Sequence, residues 1–273
     1  MDTRDDGAAT TRFGIMTSGT PQDGGSVDGH RVIVVGAGSG IGRASAELLA
    51  RRGARVACVD RDGQGCRETA ENLERAGGDA QAITLDVTDD ASVERQLTDV
   101  IERWDGLEAL LNCAGITGRT GVQSHEISVE DFDQVYAVNL RAAFVLSRTI
   151  LPVLVDGGYG RVLHVASIAG KDGNAGMVSY SATKAGLIGM VKSQGKEYAE
   201  TGVTINALAP SVIHTPMVAA LPQHQIEYMT EKVPMKRLGR LDEIADLIAW
   251  ILSPSCSFTT GFTFDFSGGR SVY

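Results

Sequence analysis

From Arg31 onward the chain alternates between two hydrophobic periodicities. Short runs rich in β-branched and other apolar residues fall at 32–35, 55–59, 81–85, 109–112, 161–166, 204–208 and 263–266. Between them lie amphipathic stretches at about 41–52, 63–76, 90–104, 130–154, 178–200 and 242–252. In the third of these, Leu97, Val100, Ile101 and Trp104 recur at the three- and four-residue spacing of a helix laid on a sheet. Strand–helix alternation of this kind is the pattern of repeated βαβ units. It predicts an α/β protein with a single-domain Rossmann fold, a seven-stranded doubly wound parallel sheet flanked by helices. Ligands of such sheets bind at the carboxyl ends of the strands. No internal repeat or linker divides the pattern, so residues 28–273 are expected to form one domain. Residues 1–27 are rich in Gly, Asp, Thr and Ser and lack an apolar signal core, which predicts a flexible N-terminal extension.

Composition narrows the partners. The formal charge of −9 argues against nucleic acid and anionic membranes, which need a basic face. No run approaches the roughly eighteen consecutive apolar residues of a membrane span. The 4 cysteines show neither a C-x-x-C pair nor a His at metal-ligand spacing. They are expected to be reduced core thiols in a cytoplasmic protein, with no metal site. The 33 glycines among 273 residues are well above the usual share of about 7 per cent, so tight turns and close backbone approaches are expected.

One such approach follows the first strand. Gly36, Gly40 and Gly42 form a G-x-x-x-G-x-G turn that runs into a helix. Residues without Cβ let the backbone close tightly and meet a pyrophosphate at the positive helix terminus. The second strand ends in Asp60, whose carboxylate suits ribose hydroxyls and repels a 2′-phosphate. Ser39 brings no positive charge, and Arg43 and Arg61 are the only nearby cations, so NAD is favoured over NADP. Leu85-Asp86-Val87 closes the third strand near an adenine edge, and Asn112-Cys113-Ala114-Gly115 closes the fourth with small residues.

A second constellation carries acid–base chemistry. Tyr180 and Lys184 stand four apart on one helix face. A phenol titrates at about pH 10, and a neighbouring ammonium stabilises the phenolate. Ser167 follows the fifth strand, where its hydroxyl can hold a substrate oxygen. Asn139 is an amide on an otherwise apolar helix face of Val135, Val138, Leu140 and Ala143.

Taken together, the Gly36/Gly40/Gly42 turn, Asn112-Cys113-Ala114-Gly115, Asn139, Ser167, Tyr180-x-x-x-Lys184 and Asn206…Pro210…Thr215 resemble the short-chain dehydrogenase/reductase family over residues 30–273. The resemblance implies roles. Tyr180 is the general acid/base, Lys184 lowers its pKa and binds the nicotinamide ribose, and Ser167 orients the carbonyl. Asn139 holds a water that links Lys184 to solvent. Gly36, Ser39, Gly40, Ile41 and Gly42 hold the dinucleotide phosphates, and Asp60 and Arg61 flank its adenosine ribose. Asp86, Val87, Asn112, Ala114 and Gly115 wall the cofactor, while Pro210, Ile213 and Thr215 hold the nicotinamide end. Three positions depart from the family pattern: Val35 where Thr is usual, Cys113 for Asn, and Ser211 for Gly. The family also implies a homotetramer through helices 130–154 and 178–200 and the last strand.

The implied reaction is hydride transfer between nicotinamide and a secondary alcohol or ketone. The tail 257–270 and Gln225-Ile226-Glu227-Tyr228-Met229 resemble dehydrogenases of 2-keto-3-deoxy-sugar acids of the fuconate and rhamnonate type, so the small-molecule substrate is expected to be a sugar acid. Arg270 is either a carboxylate partner reaching a neighbouring subunit or a surface cation, and 216–232 is expected to be the substrate lid. The alternatives are an NADPH-dependent 3-oxoacyl-ACP reductase and a non-catalytic dinucleotide-binding regulator. Against the reductase, 155–159 and 198–201 lack the basic residues that dock an acidic carrier.

Overall fold

The computed structural model describes residues 26–220, 222–271 and 273. The extension expected at 1–27 lies outside the described residues except for its last two, of which Val27 is buried. In chain order, β1 (Arg31–Val35) leads into α1 (Gly40–Arg51), β2 (Arg55–Asp60) into α2 (Gly63–Arg75), and β3 (Ala80–Thr84) into α3 (Asp90–Trp104). β4 (Ala109–Asn112) is followed by α4 (Val129–Tyr136) and α5 (Ala142–Asp156). β5 (Gly160–Val165) leads to α6 (Ala169–Asp172) and α7 (Val178–Glu197). β6 (Val203–Pro210) leads to α8 (Pro216–Ala219), α9 (Gln223–Glu231) and α10 (Leu241–Ile251), and β7 (Thr263–Phe266) closes the chain.

All seven strands pair in parallel in the order β3-β2-β1-β4-β5-β6-β7. Helices cover both faces, so β4, β5 and β6 are buried along their whole length, which is why they read as apolar runs without alternation. One core packs α3, α5 and α7 on the sheet, with Leu97, Leu146, Ile150 and Leu154 fully buried. The other packs α1, α2 and α10, with Leu49, Ile244 and Ile248 fully buried. Strand order reverses between β1 and β4. That switch point opens a crevice at the carboxyl ends of the strands.

The helix expected over 130–154 is broken. A π-helical turn, Ala137–Arg141, joins α4 to α5. Asn139 sits inside it, and its amide clamps Ile116: Oδ1 accepts from Ile116 N at 2.8 Å and Nδ2 donates to Ile116 O at 2.9 Å. Widening the turn lets the amide face the chain that leaves β4. The whole run 129–156 is long and apolar enough to span a bilayer by length and composition. Eight residues of α5 are nonetheless buried within the protein, where they form part of the sheet-covering core. The expected lid 216–232 divides into α8 and α9.

Candidate active site

The glycine turn after β1 is shaped by contacts that forbid side chains. Gly36 has φ +82°, and a Cβ there would stand 3.0 Å from the Cys113 carbonyl carbon and 3.1 Å from Ala114 N. Gly40 has φ +52° and faces Thr215, whose Cγ2 would be 3.7 Å from a Cβ. Gly42 lies in α1, where a Cβ would fall 2.0 Å from the Gly36 carbonyl oxygen. The turn therefore folds onto α1 and onto the loop after β4, leaving the free amides of the helix terminus facing a cavity of about 360 Å³.

Most of the residues expected at a dinucleotide line this cavity. Gly36, Ser39, Gly40, Ile41 and Gly42 form one side. Asp60, Arg61, Asp86 and Val87 form the outer end, and Ala114, Gly115 and Thr215 the opposite wall. Asp60 is fixed by backbone donors: Oδ2 accepts from Gly38 N at 2.8 Å and Oδ1 from Asp62 N at 2.9 Å. Asp86 accepts from Thr88 N and Oγ1, and these bonds hold its carboxyl below the usual range. Arg43 is turned away from the rim. It donates to the carbonyls of Gly38 and Gly65 and pairs with Glu68 at 3.7 Å. Arg61 is the exposed cation at the outer end.

Three expected cofactor residues act from behind the wall. Asn112 is buried, and its Oδ1 accepts from Ala114 N at 3.1 Å. Pro210 ends β6, and its carbonyl accepts from Ile168 N at 3.1 Å, which steadies the turn carrying Ser167. Ile213 is buried beside Gly239, bridged to it, so only its main chain is left for a ligand. Of the three departures, Val35 is core, Cys113 lines the cavity with a thiol that burial pushes up to about 12, and Ser211 keeps its loop tied through Ser211 N to Phe266 O at 3.0 Å.

The acid–base residues converge at the inner end. Ser167 leaves β5 between two bonds to β6, from Ala166 N to Leu208 O and from Ile168 N to Pro210 O, and its hydroxyl accepts from Ala169 N at 3.1 Å. Tyr180 and Lys184 occupy successive turns of α7, with Nζ 5.8 Å from the phenol ring centroid. Burial raises the Tyr180 pKa, and a hydrogen bond from Ser167 offsets only part of that. Lys184 Nζ itself donates to Val165 O at 2.7 Å. Lys184 is buried, which pulls its pKa down to about 8. Its remaining donors point toward Gly115, where a Cβ would lie 3.2 Å from Nζ and 3.4 Å from Asn139 Oδ1. The missing side chain lets the cavity wall at Gly115 approach Lys184 closely. Asn139, bonded also to Thr183 Oγ1 at 3.2 Å, has its whole amide committed to holding this junction.

Sequence reasoning missed His164. It is fully buried in β5, between Asn112 Nδ2 at 3.2 Å and Ser147 Oγ at 3.0 Å. Its only signal was a lone imidazole in an apolar strand three residues before Ser167.

Arg270 lies against its own subunit. Its Nη2 is 3.4 Å from Asn174 Oδ1, in the segment between Ser167 and Tyr180. The tail around it is fastened to that segment by Ser271 Oγ to Asp172 Oδ1 at 3.0 Å and is preceded by an ion pair of Lys171 with Asp265 at 2.8 Å.

Known proteins match this arrangement. A family model described as enoyl-(acyl carrier protein) reductase covers residues 36–271. A 2-dehydro-3-deoxy-L-rhamnonate dehydrogenase (NAD(+)) of a Sphingomonas species is 40% identical over 245 residues, 90% of this chain and 96% of the relative. A 3-oxoacyl-[acyl-carrier-protein] reductase of Vibrio cholerae is 36% identical over 244 residues, 89% of this chain and 98% of the relative. The crystal structure of a dehydrogenase/reductase from Sinorhizobium meliloti superposes with a TM-score of 0.85 at 33% identity, covering 91% of this chain and 98% of the other.

Proposed function

The chain belongs to the short-chain dehydrogenase/reductase family and is an oxidoreductase acting on CH–OH groups, and from that premise we propose that it is an NAD-dependent dehydrogenase of a small sugar acid. The observation that carries this reading is a cavity lined by the glycine turn, Asp60 and Gly115, with Lys184 Nζ directly behind Gly115, 3.2 Å from where a Cβ there would stand. The glycine turn packs on the Cys113–Ala114 backbone and on α1 too closely for side chains at Gly36 and Gly42, which leaves its amides on the cavity wall, so the residues present fit the cofactor.

Bound there, NAD supplies the hydride acceptor. The free amides at 39–42, at the terminus of α1, would hold its phosphates. Asp60 receives the ribose hydroxyls, and its negative charge disfavours a 2′-phosphate. Ser167 and Tyr180 share the substrate oxygen. Tyr180, as its phenolate, takes the hydroxyl proton as the alcohol is oxidised and ends as the neutral phenol, and Ser167 donates to the oxygen as it becomes a carbonyl. Lys184, held behind Gly115 by its bond to Val165 O, would reach the ribose of a bound cofactor, and its positive charge beside the Tyr180 ring stabilises the phenolate.

The substrate class rests on Arg270 together with the sugar-acid relative. Among the described residues Arg270 has no carboxylate partner, and it stands beside the segment that joins Ser167 to Tyr180. A substrate carboxylate supplies that partner. We further propose a homotetramer. Two separate faces expose large apolar side chains: Val129, Phe132, Tyr136 and Phe144 on α4 and α5, and Trp250, Phe258 and Phe262 beside β7.

The test is turnover of a panel of 3-deoxy-sugar acids, their neutral analogues and 3-oxoacyl thioesters with NAD and NADP, by the wild type and Arg270→Gln. Turnover of an acid with NAD, with KM raised at least tenfold in Arg270→Gln and neutral analogues unaffected, is expected. Activity confined to NADPH and thioesters overturns the reading in favour of an acyl-carrier reductase. Tight NAD binding with no turnover on any class favours a non-catalytic role.

A further inference from the structure

His164 is buried and titratable, and the proton transfers above do not use it. Parallel pairing of β4 with β5 sets Asn112 opposite His164, and α5 covers both with Ser147. The Asn112 NH2 group can only donate, so Nδ1 of His164 is the acceptor. A neutral ring then carries its proton on Nε2 and donates to Ser147 Oγ. Burial, with the Lys184 ammonium nearby, pulls the ring down to about 3, so the neutral form is the one present.

The other end of the Asn112 amide holds the cofactor wall. Oδ1 accepts from Ala114 N, and the peptide between Cys113 and Ala114 is the one against which Gly36 packs. A flipped amide would set NH2 against the Ala114 N–H, donor against donor, and release the loop. With Nδ1 accepting and Nε2 bonded to Ser147 Oγ, the ring supports the orientation that holds the loop, and a flip of the amide would require the ring to change tautomer as well.

We propose that His164 is a positioning residue for the dinucleotide: by accepting from Asn112 it locks the amide that seats Ala114 and with it the wall of the cofactor cavity. This rests on the dinucleotide-binding reading above. The next residue, Val165, carries the carbonyl that takes Lys184, so one stretch of β5 places both the cofactor wall and the ammonium.

The acceptor position can be separated from the space the ring fills. Asn at 164 offers a polar atom near the Nδ1 position and Gln near the Nε2 position, while Leu offers neither. NAD dissociation constants, read by calorimetry on the full chain, are expected to stay within about threefold of wild type in His164→Asn. They are expected to rise about tenfold in His164→Gln and His164→Leu, the size of one net hydrogen bond. A role in filling space alone predicts the reverse order, with the larger Gln better tolerated than Asn, and that order overturns the proposal. Should the Gln variant fail to fold, nitrogen NMR of the wild type decides. A proton on Nε2 is expected, and a proton on Nδ1 overturns the proposal. A wild type that binds neither NAD nor NADP overturns the functional reading and this inference with it, whereas binding with the wrong variant order overturns this inference alone.

Discussion

Gly42→Ala is expected to damage the cofactor turn although Ala is the better helix former. Residue 42 lies in the first turn of α1, where replacing Gly by Ala gains up to about 1 kcal/mol of helix propensity. Against this, the new Cβ would stand 2.0 Å from the Gly36 carbonyl oxygen and 2.6 Å from its carbon. Cβ atoms essentially never come within 3.0 Å of another heavy atom, so the Gly36 peptide must retreat by at least about 1 Å, the difference of the two distances. That peptide has little freedom, because its Ala37 N is bonded to Val59 O at 3.1 Å, the preceding Gly36 N to the same oxygen at 2.8 Å, and Gly36 packs against the Cys113–Ala114 backbone. Overpacking of this kind costs about 1–3 kcal/mol, which outweighs the propensity gain. The displaced turn also loses amide contacts to a charged phosphate, worth about 1.5–3 kcal/mol each. NAD binding by calorimetry is expected to weaken at least tenfold, with a melting temperature lowered by a few degrees. Binding within twofold of wild type at an unchanged melting temperature would refute the packing argument.

Further outcomes are expected from the same geometry. Asp60→Ala should weaken NAD by about 10- to 100-fold through loss of charged hydrogen bonds and narrow the preference over NADP, read as kcat/KM with each cofactor. Ser167→Ala should lower kcat by about 100-fold or more with the substrate KM little changed, measured by steady-state kinetics. Lys184→Met should be inactive yet melt higher at pH 7. The folded pKa of about 8 lies below the unfolded value, so the buried ammonium costs stability below pH 8 and that cost fades as pH rises toward the unfolded pKa; a lower melting temperature contradicts this. His164 has the same sign in acid. With a folded pKa of about 3 against 6.5 unfolded, stability falls as pH drops through that window, and His164→Asn should resist acid unfolding better than wild type by circular dichroism.

Much of this was legible in the chain because two periodicities carry it. Short apolar or β-branched runs marked all seven strands; β1, β2, β4, β5 and β6 are buried on both faces and so do not alternate, while the edge strand β3 does. Glycines 36, 40 and 42 announced a turn because each is excluded from bearing a side chain by a nearby backbone or a positive φ. What failed to show was whatever depends on contacts between distant segments. The π-turn at Ala137–Arg141 has no compositional signature; it exists because Asn139 reaches Ile116, 23 positions away. That Asn112 ends a strand at the cofactor edge was legible, but that register with β5 sets its Nδ2 against His164 was not. The four-residue spacing of Tyr180 and Lys184 showed a shared face but not that Val165 O captures the ammonium.

The most direct test of the central claim is NADH formation by wild type and Tyr180→Phe under saturating NAD, with a 2-keto-3-deoxy-sugar acid as substrate. The account predicts steady turnover by wild type and a loss of at least about 100-fold in Tyr180→Phe, with NAD affinity preserved. Turnover that survives the loss of the phenol hydroxyl would contradict Tyr180 as the proton acceptor and, with it, the assignment of the site.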